Sequence, residues 1–413
     1  MLPVLMVAGA LVVAAQIHRF GGGVIASEMH RVFGLGAAEI GLIMGAMPLA
    51  SALVQVPIGL AFDRFGTRMT VSSVSVIALL GTLILALSGA AQGLWLGRFL
   101  IGCGNATTVA ALLLLAMRWA PRERYASVAA TTLASASMVG GLLATVPLDL
   151  LLQSAGWTPT FLMISLATLV VIWLCFAVLR DGPPGSEAQG PRRESLTQSL
   201  AGLLATMADR HVRRIIAMST CVIGPFMCVG GLWAGPYLQV VYGLTPAQAS
   251  WVLLAMITTA NLGMFVYGPL DRWLGGRRRV VLGGAAATMA LLAALALWPS
   301  PPLWLVIALL LLFAAASAFY VVLTAHARNF VPIQRSGRII ATINMFALGA
   351  AFVAQWLTGL LVALPGGDGL GSETGFRLAF GFLALTLLAA ILVYRRAPER
   401  PASGLVRDWS HGL

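Results

Sequence analysis

The sequence predicts an all-α membrane protein in which twelve transmembrane helices form two six-helix bundles. Three observations carry this prediction. First, 59% of the 413 residues are hydrophobic and only 10% are charged, with a mean hydropathy of +0.91. A water-soluble domain cannot hide so much apolar surface. Second, the chain holds twelve apolar runs, each near the length of about 20 residues that crosses a bilayer core as a helix. Third, the second six runs repeat features of the first six in the same order.

The runs of the first half lie near 3–28, 38–60, 70–89, 94–117, 126–153 and 158–179. The first contains AAQ at 14–16, which resembles a signal-peptide cleavage site. No charged segment precedes it, so it is expected to remain as a permanent span. The stretch beginning RDGPPGSEAQGPRRE is polar and rich in Pro and Gly, hence a loop. After it, Leu196, Leu200, Leu203, Leu204 and Met207 recur at helical spacing and predict an amphipathic helix on the membrane surface. The second set of runs lies near 215–240, 247–269, 279–297, 302–326, 337–363 and 375–394. The expected organisation is therefore a bundle over 1–180, a linker over 181–212, a second bundle over 213–395 and a tail over 396–413.

The duplication is specific. At an offset of 209, Gly21, Gly22, Val32, Gly34, Leu35 and Ala38 align with identical residues of the second half. Asp63-Arg64 then matches Asp271-Arg272, Pro121 matches Pro332, and GWTPTF at 156–161 echoes GFRLAF at 375–380. Six spans is an even number, so the two copies share one orientation in the membrane.

Charge fixes that orientation. The formal net charge is +12, and every Lys or Arg is one of 26 arginines. With the N-terminus in the cytoplasm, 22 of them fall in inner loops or tails, Arg31 and Arg377 lie at the outer side, and Arg19 and Arg98 sit within spans. This is the positive-inside pattern, and it places both termini in the cytoplasm and the chain in the inner membrane. The basic balance is thereby a topology signal, and it excludes nucleic acid as the expected partner. Cys103, Cys175, Cys221 and Cys228 all fall inside spans and read as packing residues. No nucleotide-binding loop, metal cluster or catalytic triad pattern is present, so no enzyme activity, metal or cofactor is expected.

GLAFDRFGTR at 59–68 lies between the second and third spans. Its Gly59, Asp63, Arg64, Gly66 and Arg68 resemble, position by position, the signature loop of the major facilitator superfamily. A degenerate copy follows the eighth span, with Gly268, Asp271 and Arg272. GRFLIGCGNAT at 97–107 resembles a second family motif, with Arg98 followed four residues later by Gly102. The antiporter pattern of the fifth span is not met, because VGGLLATVPLDL has Ala144 where glycine is expected and Pro147 displaced. The resemblance implies a monomeric secondary transporter whose two bundles surround a central cavity lined by spans one, four, seven and ten. It also implies that the loop is a gate latch. Gly59 would allow close helix approach and Gly66 a tight turn. Asp63 would face the positive N-terminal end of the eleventh span, near Gly337, and Asp271 the start of the fifth.

Ionisable residues inside spans are costly and usually functional. Here they are His18, Arg19, Arg98 and Asp149, with His326 at the margin of the tenth span. Arg98 and Asp149 fall at similar depth in adjacent spans, which predicts an ion pair. Arg19 is then left without an acid. Two readings stay open: it binds a substrate anion, with His18 as a proton carrier, or it snorkels outward, helped by Glu28. Gly21, Gly22 and Gly23 beside it serve close packing or flexing. Trp233, Asn261, Tyr320 and Asn344 are further cavity candidates, each with an alternative as packing or interhelical glue. The expected function is proton-coupled movement of a small anionic or zwitterionic metabolite. A hydrophobic-cation antiporter and a non-transporting sensor or assembly protein are the competing readings.

Overall fold

The computed structural model describes residues 1–121, 123–183, 207, 210–273, 275–330, 336–364 and 369–399. The proposed amphipathic linker helix, apart from Met207, and the tail from 400 onward lie outside these residues. Among the described residues, eleven helices are long and apolar enough to cross a membrane, and Ala37–Leu53 is a shorter apolar helix that completes twelve.

The first span is α1 (Leu2–Phe20) and α2 (Gly22–Phe33), broken at Gly21. The second is α3 (Ala37–Leu53), which contains Pro48 and gives way at Val54. The chain then continues as α4 (Gln55–Leu87), which is two helices joined at Gly66 (φ 77°, ψ 173°). That backbone suits glycine, so the expected turn between spans two and three is a one-residue kink. The fourth span is α5 (Ala91–Asn105) and α6 (Thr108–Trp119), and the fifth is α7 (Tyr125–Leu143) and α8 (Val146–Ala155). Pro147 stands in the first turn of α8, where a missing N–H costs nothing. The sixth is α9 (Trp157–Val178).

The seventh span is built from α10 (Arg210–Thr220), α11 (Ile223–Cys228), a π-helical turn (Val229–Trp233) and α12 (Ala234–Tyr242). The remaining spans are α13 (Pro246–Trp273), α14 (Arg277–Leu297), α15 (Leu303–Ala316) with α16 (Tyr320–Ala327), α17 (Ser336–Ala363) and α18 (Glu373–Tyr394).

Twelve spans are an even number, so Leu2 and Tyr394 lie at one end of the molecule, called the terminal end below; the opposite end is the distal end. Between the halves, α17 packs along α3, and α13 packs on α7 and α8. The tightest crossing joins the first and seventh spans on the distal side. A Cβ placed on Gly22 would lie 2.0 Å from the Gly231 carbonyl oxygen, and one on Gly235 would lie 2.9 Å from that of Gly23. Gly22 and Gly231 are partners in the sequence duplication. The repeat thus brings the same glycine of each half to the interface, at the two places where the spans depart from α-helix. A second glycine crossing, Gly41 on Gly359, joins α3 to α17.

Candidate functional site

Arg19 closes α1 midway along the first span, and its side chain is half-buried. A half-exposed side chain at that depth faces either lipid or an interior space. Contacts across the halves decide for the interior. Arg19 interacts electrostatically with Tyr320 of α16, and Phe20 meets Phe226 of α11 edge-on at 6.4 Å. The Tyr320 hydroxyl donates to Asn344 Oδ1 on α17. Among the described residues Arg19 has no ion-pair or hydrogen-bond partner. The structure therefore places Arg19 in the neighbourhood of Tyr320 and Asn344 of the second half, with Phe20 and Phe226 beside it. Glu28 does not reach Arg19. It accepts two bonds from Arg31, at 2.8 and 2.5 Å.

The expected pair between Arg98 and Asp149 does not form. Arg98 is 3% exposed and turns toward the first span, where Nη1 donates to the His18 carbonyl at 3.0 Å. Asp149 turns toward the second half, accepting from Gln153 Nε2 at 2.6 Å and lining a cavity with Ser250 of α13. Both lie at comparable depth but face different neighbours. The cavity that Asp149 lines is a separate distal one of about 710 Å³, shared with Ser27, Glu28, Gln153, Gln239 and Ser250. Gln239 Nε2 donates to Ser27 Oγ at 3.0 Å across that cavity, joining the two halves.

His18 follows Arg98 into the first bundle rather than Arg19 into the cavity. It is buried, with Nε2 3.3 Å from Thr82 Oγ1 and Nδ1 without a partner. Trp233 is fully buried in the second half, its Nε1 donating to Thr358 Oγ1 at 2.9 Å and its ring against Phe376. His326 is also buried, with Nδ1 2.7 Å from the Tyr394 hydroxyl and Nε2 3.1 Å from the Pro398 carbonyl. These two side chains belong to packing and do not face the cavity. Asn261 is half-buried and donates to the Ile257 carbonyl at 2.9 Å, one turn back on its own helix.

At the terminal end, Asp63 and Arg64 are exposed, with the Arg64 guanidinium 5.3 Å from the Phe65 ring centre. Gly59 does not provide a close helix approach: a Cβ there would meet nothing within 4 Å. Gly102 does, because its Cβ would lie 2.2 Å from the Met47 carbonyl oxygen. The side chains of Asp271, Arg272 and residues 331–338, where the latch partners are expected, lie outside the described ones, whereas Gly268 is exposed and a Cβ there would meet nothing within 4 Å.

Two acids that the motif reading missed stand out here. Asp181 accepts from the backbone N–H groups of Thr67 and Arg68 at 2.6 and 2.9 Å, capping the helix that follows Gly66. Glu399 accepts from Arg278 N at 3.1 and 3.3 Å, beside Gly276 at φ 150°. The available signal is an acid a few residues past the sixth span of each half.

Known proteins share this architecture. The nucleoside transporter NupG superposes with a TM-score of 0.76 at 12% identity, covering 94% of this chain and 98% of its own. A bacterial homologue of the human lysosomal transporter Spinster, inward-facing and occupied, gives 0.74 at 18% identity over 97% and 98%. The xylose transporter XylE from E. coli, in an inward-open conformation, gives 0.71 at 14% over 97% and 98%. In sequence, a hexuronate transporter of Bacillus subtilis (strain 168) is 25% identical over 157 residues. That match covers 38% of this chain and 37% of the relative's length. The family model described as Major Facilitator Superfamily matches twice, at residues 8–241 and 215–410, once for each half of the duplication. Carried by both halves and by a fold built from them, the match makes this chain a member of the Major Facilitator Superfamily, an integral membrane transporter of small molecules.

Proposed function

We propose that the chain moves a small organic anion by alternating access, with Arg19 as the charge anchor and a proton gradient as the energy source. The observation that carries this reading is the Arg19 guanidinium, midway along its span, half-exposed and unpaired among the described residues. A guanidinium in that setting needs water or an anionic guest, and its planar fork grips a carboxylate with two bonds. Tyr320 and Asn344 add neutral hydrogen-bonding groups from the second half, so one guest can touch both halves. The relative in Bacillus subtilis is named for hexuronate, a sugar acid of one negative charge, which fits a guanidinium with no acid beside it among the described residues.

The arginine distribution favours the inner membrane with the terminal end in the cytoplasm. The structure is closed distally by the Gly22–Gly231 and Gly41–Gly359 crossings, so on that orientation it is shut toward the outside. The proposed architecture is a monomer with bundles over 1–180 and 213–395. Proton coupling rests on the absence of a nucleotide-binding motif in the sequence, which leaves an ion or solute gradient to drive uphill flux.

The test is counterflow in proteoliposomes with labelled glucuronate and a panel of small carboxylates. Exchange of an anion that is lost in Arg19→Gln supports the proposal. Exchange of hydrophobic cations, with no anion carried, moves the chain to the drug-antiporter reading.

A further inference from the structure

Arg98 is the buried charge that the proposed transport cycle leaves unexplained. It is 3% exposed, its Nε has no partner, and its one hydrogen bond is the 3.0 Å contact from Nη1 to the His18 carbonyl. No carboxylate pairs with it among the described residues, where the ion pairs are Arg31–Glu28 and Arg118–Asp181. A guanidinium removed from water and left without an anion is expensive, and its location tells what it does. The carbonyl it holds belongs to the residue before Arg19. Three residues on from His18, at Gly21, the first span breaks.

Helix ends next to a break are free to fray and rotate, and a one-residue rotation of about 100° would swing Arg19 out of the cavity. A charged donor on the adjacent carbonyl resists that rotation. Gly231 supports the same segment from the opposite side, its would-be Cβ lying 3.8 Å from the Arg19 carbonyl oxygen. The second effect is electrostatic. With no counter-charge beside it, Arg98 adds its field to that of Arg19 in a region of low dielectric.

We propose that Arg98 is a positioning residue for the Arg19 anion site, clamping the His18 carbonyl ahead of the Gly21 break and lending the site an uncompensated positive charge. This rests on the reading of Arg19 as the anion anchor.

The test has one arm that needs no substrate. A cysteine is placed at the cavity edge as Phe20→Cys, in a chain whose four native cysteines are replaced. Its modification rates by an anionic and a cationic methanethiosulfonate are then compared. Arg98→Gln should lower the anion-to-cation rate ratio by about fourfold or more, the effect of one unit charge about 10 Å away even at the dielectric of water. Arg98→Lys should keep the ratio, since the charge remains.

The second arm is glucuronate counterflow. Arg98→Gln should raise KM with little change in kcat, and Arg98→Lys should restore part of the loss. A folded Arg98→Gln chain with the parent's ratio and KM overturns the proposal. If the Gln variant does not fold, Arg98→Lys decides: a parent-like ratio with a raised KM supports the proposal, and a parent-like KM or a fallen ratio overturns it. A parent chain that carries no anion sinks the reading of Arg19, while the reagent ratio still decides the role of Arg98.

Discussion

Gly22→Ala perturbs one state of the transport cycle and leaves the others alone. The added Cβ would lie 2.0 Å from the Gly231 carbonyl oxygen, whereas an unstrained carbon–oxygen contact is about 3.3 Å or longer. The first and seventh spans must therefore part by roughly 1.3 Å at that point. The obstacle is backbone, so no rotamer change relieves it. Overpacking of this kind costs about 1–3 kcal/mol, and the cost falls only on the conformation whose distal ends touch. In a two-state equilibrium the distally open form should gain about 5- to 150-fold in population.

Double electron–electron resonance reads this directly, with spin labels at Val32 and Val240, both exposed near the distal ends of their spans. Gly22→Ala should shift the distance distribution to longer values. Gly349→Ala is the control, because a Cβ there would meet nothing within 4 Å, and its distribution should match the parent. A folded Gly22→Ala chain with the parent's distribution would refute the assignment of this crossing as the distal seal.

Other expectations follow from single residues. Asp63→Asn should cut transport while leaving folding and insertion intact, through loss of a charge–dipole contact of about 0.3–2 kcal/mol; normal flux would reduce the loop to a topological turn. Asp181→Ala should lower unfolding free energy by about 0.5–2 kcal/mol, the value of a helix N-cap, and a chemical denaturation series that shows no loss contradicts the cap. Breaking the distal contact with Gln239→Leu should raise the rate at which a Leu253→Cys chain, with the thiol buried in the same cavity, reacts with an impermeant thiol reagent, and an unchanged rate argues against a clasp there.

The fold was legible because its signals are redundant. Hydropathy alone marks the spans, and the echoes at an offset of 209 pair the halves. The sequence could not show that the second span would be interrupted at Val54, since apolar length carries no sign of a break. Arg19 was set apart in the sequence because Asp149 was assigned to Arg98, whereas in the structure neither arginine has an acid partner among the described residues. The Arg98–Asp149 pair failed for a geometric reason: depth along a helix can be counted from residues, but the direction a side chain faces around the helix cannot. Arg98 faces α1 and Asp149 faces Ser250 of the other half. Asp181 and Glu399 stayed hidden because their partners lie more than a hundred residues away, in the loops they cap.

The most direct test of the account is the affinity of purified protein for a small organic anion, with the Arg19 side chain as the variable. Isothermal titration with glucuronate and a panel of related carboxylates, on the parent chain, Arg19→Lys and Arg19→Gln, isolates that term. A hydrogen bond to a charged group is worth about 1.5–3 kcal/mol, so Arg19→Gln should weaken binding by about 10- to 150-fold, with Arg19→Lys in between. An Arg19→Gln chain that binds the same anion as tightly as the parent would contradict the central claim, and the unpaired guanidinium would then be a feature of the scaffold alone.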